Sequence, residues 1–468
     1  MRIYLVLGLM LCAVTALDAA LDKLFCFYQT GAAYRIGNGR VEVGDLNPQL
    51  CTHLVYQYVE MTTYGAIQMI GLNTTELRDF VGLKARSPTV KIYASMGGPE
   101  QSSSLLSTLL SNPSLRRATV KAIVDFAKLY NLDGVDFHWQ YPVLKGGEVV
   151  DRANYITLLS QLRTELKGTG MELSVSVAPT SDYFRSSYDV LEMNKHVDFV
   201  NVMAFDLHAY WDAQTGLNAP VFGAPWERSR AERELHVDAI LKAWKTAGME
   251  SSKIILGVTA YGHSFKLANK NENSTKSRSI GPGPEGSYTA KSGVLSYLET
   301  CELMKSGGWT TIWDDVQQSH YGFKEDLWVS FESMKALHIK MNMADAYAIK
   351  GLGMWAMEGD DVRNICGGGN FSLLSFIYNQ LRIDPGTTVT PSITTTLATT
   401  TTQVSEDGGL PPICPPSGFV RDPKECNGFY RCSPGSKFPS FPTKNTCASG
   451  LNFDTRYNVC NHAKYVTC

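Results

Sequence analysis

Leu132-Asp133-Gly134-Val135-Asp136-Phe137-His138-Trp139-Gln140-Tyr141-Pro142 decides the fold. Polar and apolar residues alternate through its middle, and successive side chains of a strand point to opposite faces, so Asp136, His138 and Gln140 share one face. Polar groups on the inner face of a buried strand are costly unless hydrogen-bonded. The stretch is therefore either a satisfied core network or a strand whose carboxyl end meets a ligand. Outward from it, short apolar or alternating segments recur at residues 24–29, 53–60, 90–96, 134–139, 172–178, 199–205, 254–261 and 351–357, each followed by a longer stretch of helical character. Eight strands separated by helices predict an α/β fold of parallel βα units closed into a (β/α)8 TIM barrel, with working residues at the carboxyl ends of the strands. The spacing breaks between Tyr261 and Gly351. Gly281-Pro282-Gly283-Pro284 and further strand-like aromatic pieces there predict a small α+β insertion at about 262–335.

The ends of the chain carry different signals. Met1-Arg2, an apolar run to Ala16 and the small residues Val14-Thr15-Ala16 read as a secretory signal peptide over 1–16, shorter than the ~20 residues a spanning helix needs. The barrel domain is expected over 21–385. From Gly386 to about 410 Thr dominates, with Ser and Pro, predicting an extended linker. Residues 411–468 crowd in six cysteines, Cys414, Cys426, Cys432, Cys447, Cys460 and Cys468, with too few apolar residues for a core, so disulfides must staple this small domain. Zinc fits less well, because the gaps are wide and no C-x-x-C pair occurs. Of 11 cysteines, Cys12 leaves with the signal and ten remain to pair. Asn73, Asn273 and Asn370 head glycosylation sequons. A chain of 468 residues, 44% hydrophobic and 19% charged, is globular, and a net charge of -2 gives no reason to expect nucleic acid or an anionic membrane as partner.

Lys91 to Gly98 and Asp133 to Pro142 resemble the two signature motifs of the family 18 glycoside hydrolases, the chitinases, the second of which reads D-G-x-D-x-D-W-E-Y-P. Met203-Ala204-Phe205-Asp206 is similar to the family's M-x-Y-D, Gly257 to Phe265 to G-x-P-x-Y-G-R-S-F, and Met354 to Asp361 to W-A-M-D-x-D-D. The resemblance runs from Leu24 to Leu381. It implies barrel disulfides Cys26–Cys51 and Cys301–Cys366, and a saccharide cleft using Tyr28, Tyr141, Met203, Asp206, Tyr261 and Trp355, with Trp355 as its floor. Trp211 and Trp313 are further aromatics near strand ends, whereas Trp139, flanked by inward-facing residues, is expected to point outward. Sugars stack their C–H faces on such rings, so a groove is able to hold a chain it does not cut.

The implied mechanism needs a carboxylic acid at the last acidic position of the second motif while the substrate's own acetamido group attacks the anomeric carbon. Here that position is Gln140, and an amide has no proton to transfer near neutral pH. The middle aspartate, which orients the acetamido group, is His138, and a neutral imidazole lacks its negative charge. As a substitute acid His138 sits roughly 6–7 Å back along the strand, too deep for the scissile oxygen. Phe205 replaces the tyrosine that donates to the acetamido carbonyl. The catalytic set Asp133, Asp136, His138 and Gln140 is thus vestigial.

Cys426 to Cys432 and Cys447 to Asp454, followed by Cys460 and Cys468, resemble the peritrophin-type chitin-binding domain. That likeness implies the pairs Cys414–Cys432, Cys426–Cys468 and Cys447–Cys460, which spacing alone leaves open among 15 pairings, and sugar platforms at Phe429, Tyr430, Phe453 and Tyr457. The layout is similar to that of arthropod chitinases and, with the acidic motif lost, to the chitinase-like proteins of mites, including the group 18 allergens. The implied function is a secreted, monomeric, chitin- or chito-oligosaccharide-binding lectin without hydrolase activity, using no cofactor and no metal. A weakly active chitinase and a structural cross-linker of chitin, binding through two sites on one chain, are the competing readings.

Overall fold

The computed structural model describes residues 21–68, 74–381 and, near the carboxyl terminus, 419–421, 426, 428–432, 439–447, 451–454 and 459–462. The chain divides into two compact units, Met1–Gly386 and Thr387–Cys468.

In the first unit eight parallel strands close on themselves: β1 (Lys23–Gln29), β2 (His53–Met61), β3 (Lys91–Gly98), β4 (Gly134–Trp139), β5 (Glu172–Val177), β6 (Phe199–Val202), β7 (Ile254–Thr259) and β8 (Gly351–Trp355). Each pairs with its neighbour in sequence and β8 pairs with β1, so the sheet has no free edge among them. Helices such as Pro113–Leu129 and Asp151–Leu166 cover the outside. Burial on both faces is why these strands read as near-continuous apolar runs. Two of them end earlier than their apolar character suggests. After Val202 the chain leaves the ladder in two tight turns, Ala204 N–H to Val202 O and Phe205 N–H to Met203 O, both 2.8 Å. After Thr259 it starts a new strand at Tyr261 that belongs to another sheet.

That sheet, between β7 and β8, is antiparallel and six-stranded: Tyr261–Leu267, Ser279–Pro282, Val294–Ser296, Thr310–Asp314, Ser319–Lys324 and Leu327–Phe331. Helix Tyr297–Lys305 follows its third strand, started by a capping box between Ser296 and Glu299. The insertion has its own small core around Phe265, Leu267, Tyr321 and Trp328. Disulfides join Cys26 to Cys51 and Cys301 to Cys366, with Cα separations of 6.0 and 6.1 Å. Asn273 donates to the Lys270 carbonyl and Asn370 to that of Val362, while Asn73 and the signal segment lie outside the described residues.

Inside the barrel, register places Ser95, Asp136 and Ser174 side by side on β3, β4 and β5, with Gly97, His138, Ser176 and Asn201 one layer nearer the carboxyl ends. At the opposite end Glu172 accepts hydrogen bonds from His53, Lys91 and Tyr93. Burial alone would raise the Glu172 carboxyl, but these three donors outweigh it and hold it at about 2. A carboxylate depressed in the folded state stabilises above its ordinary 4.5 and loses that stabilisation as pH falls toward 2. Glu172→Gln is therefore expected to flatten the acid limb of barrel unfolding, removing up to roughly 3 kcal/mol of pH dependence between those values. Urea unfolding at a series of pH values checks this, and an unchanged limb would place the dependence elsewhere.

In the second unit, Phe419–Arg421, Gly428–Cys432 and Pro439–Thr446 form one antiparallel sheet and Leu451–Asp454 pairs with Val459–His462. Phe429 and Tyr430 lie on the central strand of the first sheet and Phe453 on the second, whereas Tyr457 lies outside the described residues. Cys426 and Cys447 are disulfide-bonded. Of the pairings Cys414–Cys432, Cys426–Cys468 and Cys447–Cys460, both partners of the first and one partner of each of the others lie outside the described side chains. No described helix is long and apolar enough to cross a membrane.

Candidate saccharide cleft

Asp136, on β4, is fully buried and accepts four hydrogen bonds: from Ser174 (2.7 Å), Ser95 (2.8 Å), Ser176 (2.9 Å) and Asn201 (3.1 Å). Burial raises its carboxyl, and those hydroxyls and the amide hold part of that rise back. The arrangement is a satisfied core network of the kind the alternation allows. Phe137 and Trp139, one step out of phase, face the helices, where both pack on Tyr155 and Trp139 donates from Nε1 to Ser103 Oγ at 2.8 Å.

His138 is the next inward residue and is also fully buried, edge-on to Tyr58 (5.5 Å) and Trp355 (5.6 Å). Burial, with a contribution from the positive charge of Lys145, lowers its imidazole to about 3, so it is neutral at any physiological pH. Its Nε2 lies 3.0 Å from Gln140 Nε2. With the amide N–H donating into the Nε2 lone pair, the ring proton sits on Nδ1, which has no partner among the described residues. Gln140 and the Nε2 side of His138 thus pair as neutral groups where an acid chemistry needs a proton donor.

Gln140 lies at the base of a cleft of about 640 Å³ at the carboxyl ends of the strands, with Trp355, Met203, Phe205 and Tyr58 around it. Trp355 is 5% exposed and stacks on Phe27 at 3.9 Å, which makes it a fixed floor. Tyr141 and Tyr183 form one wall, their rings 4.7 Å apart. Across from them Asp206, in the left-handed region at φ 56°, accepts hydrogen bonds from Tyr261 Oη and His263 Nε2, both 2.7 Å. Trp211, 60% exposed, leans on Tyr210 and His263 at the rim. Two glycines at the end of β3, both at φ 102°, keep this region open. A Cβ on Gly97 would come 2.4 Å from the His138 carbonyl oxygen, and one on Gly98 2.5 Å from the Tyr58 ring.

Three sequence-based placements need correction. Tyr28 does not reach the cleft: β1 turns Phe25 and Phe27 inward, so Tyr28 faces the helices, stacks on Phe80 and donates to the Val41 carbonyl at 3.0 Å. Asp133 precedes β4 at the amino end of the barrel, where it pairs with Lys84 at 2.6 Å and accepts from the Ile92 N–H at 2.7 Å. Its work is structural, tying Lys84 and the β3 backbone together at the end of the barrel away from the cleft. Trp313 lies on the insertion under Lys335, whose Nζ is 3.8 Å from the ring centroid, and is not a cleft residue.

Several cleft residues escaped sequence reasoning, Tyr183 and Lys291 among them. Tyr58 shares parity with Tyr56, which packs outside on Phe80, but a bulge between Tyr56 and Val59 turns Tyr58 inward. Glu358, 4% exposed, is raised by burial, against the pull of Arg35 at 3.5 Å and the Gln29 N–H at 3.3 Å. Lys145 stands with its Nζ 5.3 Å from the Tyr141 ring centroid. His263 occupies the arginine position of the G-x-P-x-Y-G-R-S-F pattern, a departure visible in the sequence.

Comparisons with known proteins agree with this geometry. Residues 23–360 match the glycosyl hydrolases family 18, and residues 414–468 match the chitin binding peritrophin-A domain. The endochitinase of Manduca sexta is 29% identical over 389 residues, 79% of this chain and 70% of that protein. Mouse oviduct-specific glycoprotein is 28% identical over 402 residues, 83% of this chain, and the chain spans about half of its length, 54%. Among solved structures, the Ostrinia furnacalis Group IV chitinase superposes with a TM-score of 0.74 at 32% identity, covering 76% of this chain and 99% of that one. Human YKL-39, described as a pseudo-chitinase with retained chitooligosaccharide binding properties, superposes at 0.72 and 25% identity, covering 76% and 99%.

Proposed function

Because the chain belongs to the glycosyl hydrolases family 18 and carries a chitin-binding peritrophin-A domain, we propose that it is a secreted, catalytically silent lectin that binds chitin through its carboxyl-terminal domain and saccharide through its barrel cleft. The observation that carries this reading is the hydrogen bond between Gln140 and a buried, neutral His138 at the cleft floor. Neither group releases a proton to a glycosidic oxygen, and neither supplies negative charge beside an anomeric carbon. What binding requires persists: a tryptophan floor, tyrosine walls and an oriented Asp206. Secretion is supported by the apolar leader in the sequence and by two barrel disulfides, which persist in oxidising compartments. The test is paired: one preparation of the intact protein is assayed for chito-oligosaccharide hydrolysis and for retention on chitin. Retention with hydrolysis at background is the expected outcome, and turnover at the rate of an active chitinase sinks the proposal.

A further inference from the structure

We propose that the cleft prefers saccharides carrying negative charge and disfavours those carrying free amines, with Lys145 as the selecting residue; the inference rests on the reading of the cleft as a saccharide site. Two acidic positions of the family motif are neutral here, at His138 and Gln140. Of the two carboxylates that line the cleft, Glu358 is paired with Arg35, while Asp206 accepts hydrogen bonds from Tyr261 and His263 that orient it without cancelling its charge. Lys145 and Lys291 line it too, are exposed, and stand in no ion pair among the described residues. Two lysines against the one carboxylate without a cationic partner leave the balance positive.

Lys145 is not a freely waving surface lysine. Its loop holds two non-glycine residues in the left-handed region, Val143 at φ 71° and Lys145 at φ 51°. For a β-branched residue that conformation is strained and persists only where the surroundings impose it. They do: buried Asp151 accepts from the Val143 and Glu148 N–H groups and from Ser107, while Ser103 Oγ lies 2.9 and 2.8 Å from the Tyr141 and Leu144 carbonyls. The loop so held turns Lys145 back over Tyr141, and its charge is felt by the ring of His138. A carboxylate or sulfate on a sugar near Gln140 would find a cation there, and an ammonium would be repelled.

The test uses the intact chain and one β-1,4 backbone in four forms: deacetylated, N-acetylated, 6-carboxylated and 6-sulfated chito-oligosaccharides of equal length. Calorimetry at low salt is repeated with Trp211→Ala to identify the heat due to the cleft. Both anionic forms are expected to bind about fivefold more tightly than the neutral one and the amine form more weakly, the magnitude of a partly screened ion pair. Lys145→Met, which keeps the stem length, should collapse that ranking and bring the charged forms to the affinity of the neutral one. A preference for sulfate alone or carboxylate alone identifies which anion the site takes. Neutral binding with no charge ranking, or a ranking that survives Lys145→Met, overturns the proposal but leaves the cleft a saccharide site. Absence of any cleft heat overturns both.

Discussion

If the protein is the silent lectin proposed, Gln140→Glu alone is expected to add almost no hydrolysis, and Gln140→Glu with His138→Asp to add far more than the two single changes together. General acid catalysis is worth roughly 10²–10⁴-fold, so the acid position sets the scale. A glutamate beside the present His138 would find a neutral, dry imidazole that offers neither a charge to raise its proton affinity nor a group to hold the acetamido nitrogen. An aspartate at 138 would sit one layer above Asp136 and its four donors, which restores a coupled pair, and groups acting as one unit are strongly non-additive. Phe205 in place of the acetamido-binding tyrosine should keep even the double variant modest. Release of a chromogenic aglycone by the four proteins measures this. If the wild type itself proved fast, His138 would be a poor suspect, because it gives up its proton at about 3. Glu358, a cleft carboxyl whose proton affinity burial raises, would be the group to remove.

Ending the chain near Asp384 is expected to lower retention on chitin by at least tenfold, roughly the 1.4 kcal/mol equivalent of losing one of two linked sites. The carboxyl-terminal domain keeps the cysteine pattern of a chitin-binding module, while the cleft carries Phe205, His138 and Gln140 where the family pattern has a hydroxyl and two carboxyl groups. The shortened protein should stay folded, since the barrel has its own core and both its disulfides lie before that point. Undiminished retention on chitin beads would place the binding in the cleft.

The barrel was legible because eight strands buried on both faces leave apolar runs of similar length, and helices between them leave a different period. Its finer geometry was legible only where parity holds without interruption. On β4 parity placed Asp136 and His138 inward and Trp139 outward, as found. On β1 the inward set is Phe25, Phe27 and Gln29, and only the opposite choice would have put Tyr28 in the cleft. On β2 a single bulge separates Tyr56 from Tyr58, and nothing in the residue types announces it. Asp133 falls inside the motif yet one strand length from its working end. The pairing of Glu358 with Arg35 links residues more than three hundred positions apart, which no local pattern reports.

Gly97 and Gly98 have a consequence for how such proteins diverge. Because a methyl group at either place would strike the His138 carbonyl or the Tyr58 ring, selection for a folded barrel retains them whether or not any bond is ever cut. The same holds for Asp136, whose four donors would be stranded in the interior without it. Gly97, Gly98 and Asp136 are therefore answerable to architecture, so a chain is free to keep these parts of the family pattern while departing from it at His138 and Gln140.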